Sequence, residues 1–279
     1  MEPENKLSAA PTAPEQTPED LEEMEDGGGH HRKVGVARFF EVLGRDLWPF
    51  YKSSFLCVVG FVPGYAALLF SVMAGSLPLS LLSGAVGGLI AGPFLCGMYD
   101  TILRALRDEP GYWWHTYRMA WKQNWKDALL PGALAGLILG LWAYLLFTLP
   151  DMENVPTTVW ICMILTIFFL LAIGTYTFAQ IVLVSVPLPK LLKNAALFTI
   201  GLFPRTLIAV AVQAAYWGVT LAWMPYTLPL VLLTGFWFPC TVALLAIYPG
   251  LDKSFHLEST LNQRRDEEIT AIMQERERQ

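Results

Sequence analysis

Apolar residues run through this chain in blocks far longer than a soluble core requires. No charged residue occurs from Phe55 to Met98, and none lies between Glu153 and Lys190. A helix needs about 20 mostly apolar residues to cross a hydrocarbon layer roughly 30 Å thick. Both blocks exceed that length, and both are broken by turn residues. The pattern predicts six transmembrane helices near residues 54–75, 77–103, 129–149, 157–185, 204–222 and 226–248. Breaks are expected at Gly75-Ser76-Leu77-Pro78, Pro150-Asp151-Met152-Glu153 and Met224-Pro225-Tyr226. The expected fold class is all-α, a polytopic membrane helical bundle.

Between the spans the periodicity changes to an amphipathic one. Phe39, Leu43 and Leu47 recur at helical spacing, while Arg38, Arg45 and Lys52 recur every seven residues on another face. Trp114, Tyr117, Trp121, Trp125 and Ala128 form a stripe beside His115, Arg118, Lys122 and Lys126. A weaker third case joins Leu188, Leu191, Ala195, Phe198 and Leu202 with Lys190 and Lys193. Such helices lie in the membrane interface, with rings at headgroup level and cations toward phosphate. The chain reads as three copies of an interfacial helix followed by a two-span hairpin. Trp48, Trp125 and Phe203 mark corresponding points, and Pro49 matches Pro204. Any even-numbered bundle alternates similarly, so a bundle without internal repeats stays open.

Charge orients the bundle. Apart from Lys6, every Lys and Arg falls before the first span, between spans two and three, between four and the first residues of five (Arg205), or after the sixth. The opposite loops hold only Asp151 and Glu153. Positive charge stays inside, so both termini are expected in the cytoplasm and the chain in the cell membrane. Residues 1–29 carry nine acidic groups against Lys6, with repeated proline and Gly27-Gly28-Gly29. Too little apolar surface is available there to offset ordering entropy. Three regions follow: a disordered acidic arm over 1–35, a membrane domain over 36–250, and a polar, helical tail over 251–279. Overall composition agrees, with 54% hydrophobic and 15% charged residues against about 45–50% and 25% in soluble domains.

Small residues suggest how hairpins meet. Gly84, Gly88 and Gly92 in span two, and Gly132, Gly136 and Gly140 in span three, are tandem rows at four-residue spacing. Such rows let helix backbones approach where lipid provides no hydrophobic drive.

Candidate chemistry is sparse. None of His30, His31, His115 and His256 lies in a span, which excludes Ser–His and Cys–His hydrolysis at depth. Asp100 is the single carboxylate in a predicted span, so a shared-proton aspartate pair is excluded too. It precedes Arg104 by four residues, which fits a helix ion pair, with an ion-coupling role as the alternative. Tyr176, Gln180 and Gln213, with Tyr216 nearby, either hydrogen-bond between helices or, with Asp100 and Arg104, line a polar path. Cys57, Cys96, Cys162 and Cys240 stand singly in apolar segments and read as buried small side chains, without metal spacing. No catalytic residue, metal site, cofactor or nucleic-acid partner is indicated. Membrane lipids are the expected surroundings.

The stretch Ala91-Gly92-Pro93-Phe94-Leu95-Cys96-Gly97-Met98-Tyr99-Asp100, then Arg104-Ala105-Leu106-Arg107-Asp108-Glu109 and Ala120-Trp121-Lys122-Gln123-Asn124-Trp125-Lys126, resembles the YesL family of bacterial membrane proteins. Arg38-Phe39-Phe40-Glu41-Val42-Leu43-Gly44-Arg45 is similar to that family as well. The resemblance covers roughly residues 36–248. It implies a multi-span protein of unknown function associated with sugar-uptake transporters and glycoside hydrolases, with no catalytic residues to assign. The expectation is a non-enzymatic membrane protein accessory to carbohydrate uptake, with a sugar-uptake transporter complex as partner. The alternative is a small-solute transporter using the polar path.

Overall fold

The computed structural model describes residues 35–255, apart from 110, 185 and 225. The acidic arm and most of the C-terminal tail fall outside the described residues. Within them the fold is all-helical: α1 (Val36–Met73), α2 (Leu77–Arg107), α3 (Trp113–Thr148), α4 (Thr157–Leu183), α5 (Leu188–Gly201), α6 (Phe203–Ala222), α7 (Leu228–Thr234) and α8 (Trp237–Phe255). The chain is a polytopic membrane bundle. Among the described residues five segments are long and apolar enough to cross a membrane: α1, α2, α3 with its following 3-10 turn, α4 and α6.

Three expectations are corrected. The first two amphipathic segments are not separate interfacial helices. Each continues without a break into its span, so α1 has 38 residues and α3 has 36. At 1.5 Å per residue each reaches over 50 Å, well beyond the hydrocarbon thickness. Pro49 and Pro131 sit inside these helices; each removes one backbone donor without ending the helix. Only the third amphipathic segment is separate, as α5. There Gly201 and the proline at position 204 divide it from α6 at Leu202.

The sixth predicted span, near 226–248, is likewise not one helix. It divides at Gly235, whose backbone (φ 45°, ψ −142°) suits glycine. Ser54 of α1 meets the break: its Oγ accepts hydrogen bonds from Phe236 N at 2.9 Å and Trp237 N at 3.4 Å. This satisfies donors that a helix start leaves orphaned. The rings after the break lean on α1, with Phe236 against Phe61, Trp237 against Phe50 and Phe238 against Phe39. The third correction concerns Cys162, which is exposed, whereas Cys57, Cys96 and Cys240 are buried.

The core lies toward one end of the bundle. Ile102, Leu103 and Leu106 of α2 pack there in one cluster with Tyr176, Ile181 and Leu183 of α4 and Leu244, Ile247 and Leu251 of α8. Toward the other end, Val62, Phe70 and Met73 of α1 and Ile161, Ile164 and Leu165 of α4 are exposed, as side chains facing lipid should be. The α1–α2 hairpin turns at Gly75 (φ 64°), where Ser76 N bonds Ser71 O at 3.2 Å, the αL helix stop expected at a glycine.

Helices α2 and α3 run antiparallel with their glycines interleaved. A Cβ at Gly88 would overlap the Gly132 carbonyl oxygen, one at Gly84 the Gly136 oxygen, and one at Gly140 the Ser80 oxygen. At Gly92 it would lie 2.6 Å from the Ala128 oxygen. A second contact joins α1 to α2, where a Cβ on Gly87 would be 2.6 Å from Gly64 Cα. Gly88→Ala and Gly136→Ala should therefore lower the Tm of the detergent-solubilised protein, at an overpacking cost of about 1–3 kcal/mol. Gly174→Ala, where a Cβ meets nothing within 4 Å, should leave it unchanged or raise it, because alanine is the better helix former. Equal melting of all three variants would show that the α2–α3 contact is looser than drawn.

Candidate functional site

Helix α2 ends in a residue that glycine would normally occupy. Asp108 adopts the left-handed conformation (φ 57°), and Glu109 N reaches back to Arg104 O at 3.1 Å. Aspartate tolerates this region better than most residues. Its side chain is held from α1: Arg38 Nη2 bonds Asp108 Oδ2 at 2.6 Å, and Arg45 Nη1 bonds Asp108 Oδ1. The same two guanidinium groups donate to the last carbonyls of α2, Arg38 to Leu106 O at 2.9 Å and Arg45 to Ala105 O at 2.8 Å. Two arginines thus cap one helix C-terminus, where cations and donors are both favoured.

Further ion pairs surround this clasp. Arg38 also meets Glu41 at 3.2 Å, and Arg45 meets Asp46 at 2.8 Å. Arg104 bridges Asp100 at 2.9 Å and Glu109 at 3.0 Å, and Arg107 meets Glu109 at 3.0 Å. Arg38, Asp100 and Arg107 are buried. Sequence reasoning found the Asp100–Arg104 pair from its spacing but missed the clasp. The seven-residue recurrence of Arg38 and Arg45 was its only trace. The α2–α3 link thereby becomes a fixed corner.

The other polar candidates engage one another inside the bundle. Tyr176 and Thr206 share a hydrogen bond of 2.9 Å between α4 and α6, and Gln213 Nε2 donates to Thr175 Oγ1 at 3.0 Å across the same helices. Gln180 Nε2 donates to Tyr176 O at 3.1 Å, while its buried Oε1 has no partner among the described residues. Tyr216 meets Thr234 of α7 at 2.8 Å. Tyr99 of α2 lies against Thr175 and Cys240, extending the network to α8. Asp100 and Arg104 belong to the charged corner, so the predicted polar path is two groups rather than one line.

The aromatic–basic segment is also divided. Tyr117 is buried; its ring fills the space beside Gly97, and its OH donates to Phe94 O at 3.4 Å. Trp121 is half-buried with its ring edge-on to Phe94. Trp114 and Trp125 are exposed, as are His115, Arg118, Lys122 and Lys126. The buried side of this stretch is Tyr117, Ala120, Asn124 and Ala128, so it braces α2 instead of lying flat as an interfacial helix. Lys52 Nζ stands 5.2 Å from the Trp48 ring and 5.0 Å from the Trp113 ring, tying α1 to the start of α3. An open cleft of about 220 Å³ between α1 and α2, lined by Pro63, Gly64, Leu82, Val86 and Gly87, is mainly apolar. Among the described residues no group of three His, Cys, Asp or Glu could hold a metal ion.

Residues 76–146 cover α2 with its side of the charged corner and nearly all of α3. They match the DUF624 family, described as a protein of unknown function. That family includes the YesL-like proteins. The match contains both glycine rows, Asp108 and the aromatic–basic segment. No curated protein and no solved structure matches the chain.

Burial disfavours the Asp108 carboxylate, but the hydrogen bonds from Arg45 and Arg38 outweigh it and hold the group below the usual carboxylate range. A lowered folded value means that this stabilisation is complete above the unfolded value near 4 and is lost as pH falls through the folded one. Thermal stability should drop below about pH 4, and in Asp108→Asn this part of the decline should flatten. At pH 7 Asp108→Asn should cost about 2 kcal/mol, less than a fully buried pair because solvent reaches the carboxylate. A Tm at pH 7 equal to wild type would remove the clasp from any stabilising role.

Proposed function

We propose that this chain is a non-enzymatic membrane protein that accompanies carbohydrate uptake, seated with both termini in the cytoplasm and docking within the membrane on a transporter complex. The observation that carries this reading is the mutual engagement of the intramembrane polar groups. Tyr176 with Thr206 and Gln213 with Thr175 join α4 to α6, as expected for residues that hold helices together. The similarity of residues 91–126 to YesL proteins is what supports the link to sugar uptake; the DUF624 match is to a family of unknown function and supports the family resemblance alone. The one-sided distribution of Lys and Arg supports the orientation.

A second reading, a small-solute transporter, has its own observation. The α7–α8 break at Gly235 is a discontinuous helix of the kind that builds transporter sites, and Gln180 Oε1 is buried without a partner among the described residues. The two readings separate in the native membrane. Affinity purification of the intact protein in mild detergent should bring down the permease subunits of a sugar-uptake system. Solute counterflow into vesicles holding this protein alone, with no co-purifying permease, would select the transporter instead.

Orientation is tested separately. Single cysteines at Gly75 and Asp151 should react with an impermeant thiol reagent added outside intact cells, and a cysteine at Lys122 should not. Labelling of the Lys122 position from outside would invert the arrangement.

A further inference from the structure

Two groups of basic residues lie near the α2–α3 corner. Arg38, Arg45, Arg104 and Arg107 are all neutralised by Glu41, Asp46, Asp100, Asp108 and Glu109. Arg118, Lys122 and Lys126 follow one another at four-residue spacing along the exposed side of α3, with His115 above them. Among the described residues no carboxylate forms an ion pair with any of these four. Lys126 stands over the Trp125 ring at 5.6 Å. Asp127, the single carboxylate between 113 and 128, is already engaged. Lys52, Lys190, Lys193, Arg205 and Lys253 likewise form no ion pair among the described residues, but they are scattered, whereas Arg118, Lys122 and Lys126 form a cationic ridge along one side of one helix.

We propose that the ridge His115–Lys126 is the docking surface for the chain's own acidic arm, residues 1–29. Charge complementarity is the first reason: the arm carries nine carboxylates against Lys6. Position is the second. The arm joins the bundle at the start of α1, where Arg38 touches Leu106 O and Asp108, a few residues before α3 begins at Trp113. Treated as an unconstrained chain, 34 residues have an end-to-end distance of about 30 Å, and the ridge is about 16 Å long. The tether thus holds the carboxylates near the ridge at an effective concentration on the millimolar scale.

Height above the membrane is the third reason, and it favours the arm over lipid. The apolar part of α3 begins near Leu129, so Arg118 stands about 16 Å further along the axis. The headgroup layer is only about 5–8 Å thick on each side. His115, Arg118 and Lys122, the last about 10 Å out, are clear of it and in reach of a soluble acidic segment, while Lys126 stands level with the headgroups. The docked arm would cover the ridge, and any acidic partner would have to displace it.

Zero-length carbodiimide cross-linking of the intact protein in phosphatidylcholine nanodiscs tests this, with isopeptide products read by mass spectrometry. Arm carboxylates should join Lys122 and Lys126 at least fivefold more than Lys190, Lys193 or Lys253. The yield should fall about fivefold between 0.05 and 0.5 M salt, as the Debye length shrinks from about 14 to about 4 Å. Changing Glu19, Asp20, Glu22, Glu23, Glu25 and Asp26 to their amides should abolish those products without altering the Tm. Even labelling of all lysines would overturn the proposal. So would products that join two copies in a mixture of isotopically light and heavy protein. Loss of the products when phosphatidylglycerol replaces phosphatidylcholine would assign the ridge to anionic lipid instead.

Discussion

Lipid gives apolar helices no hydrophobic reason to associate, because acyl chains are as apolar as leucine. The fold therefore depends on the close approach of α2 and α3, where glycine against backbone carbonyl brings two helices together without intervening side chains. The antiparallel pair forms a rigid plate. Helix α1 joins it through Gly64 and Gly87, at the same depth as the glycine rows. The rest of the bundle is arranged around α2, the most buried of the five spans, whereas α4 is the least.

The plate needs a fixed corner, and the charged end supplies one. A chain reversing direction between α2 and α3 must leave the last carbonyls of α2 without helical partners. Arg38 and Arg45 reach across from α1 to two of them and clasp Asp108 in its left-handed conformation. The corner is thus held by the first helix in the sequence. Tyr117, seated on Gly97, and Lys52, between Trp48 and Trp113, continue the brace along α3.

Much of this was legible in the sequence where the signal is local. The helical class and most span positions follow from continuous apolar blocks, and the two glycine rows and the Asp100–Arg104 pair from four-residue spacings, all within single helices. What sequence reading missed depends on distant partners. Arg38 and Asp108 are 70 residues apart, and Gly64 pairs with Gly87 on another helix. The break in the sixth segment depends on Ser54, 182 residues before Phe236. Composition alone could not reveal it, because residues 226–248 are as apolar as an unbroken span. The continuity of α1 and α3 escaped for another reason. A change from amphipathic to uniformly apolar pattern marks where a helix enters lipid, and it carries no information about whether the helix stops there.

The two halves are joined by different forces, and this has a mechanical consequence. Helices α1 to α3 meet through backbone contacts that tolerate little displacement, since any shift brings carbonyl oxygen against Cα. Helices α4, α6 and α7 meet partly through hydroxyl and amide groups: Tyr176 with Thr206, Gln213 with Thr175, and Tyr216 with Thr234. Such bonds are modest in membranes, about 0.6 kcal/mol on average, and a threonine hydroxyl can exchange one acceptor for another. Helix α7 has seven residues and ends at a glycine, and the turn that follows is held on α1 through Ser54. Displacement is therefore easier between α4 and α6, whose hydrogen bonds can be exchanged, than within the frame set by α1 to α3, where backbone meets backbone.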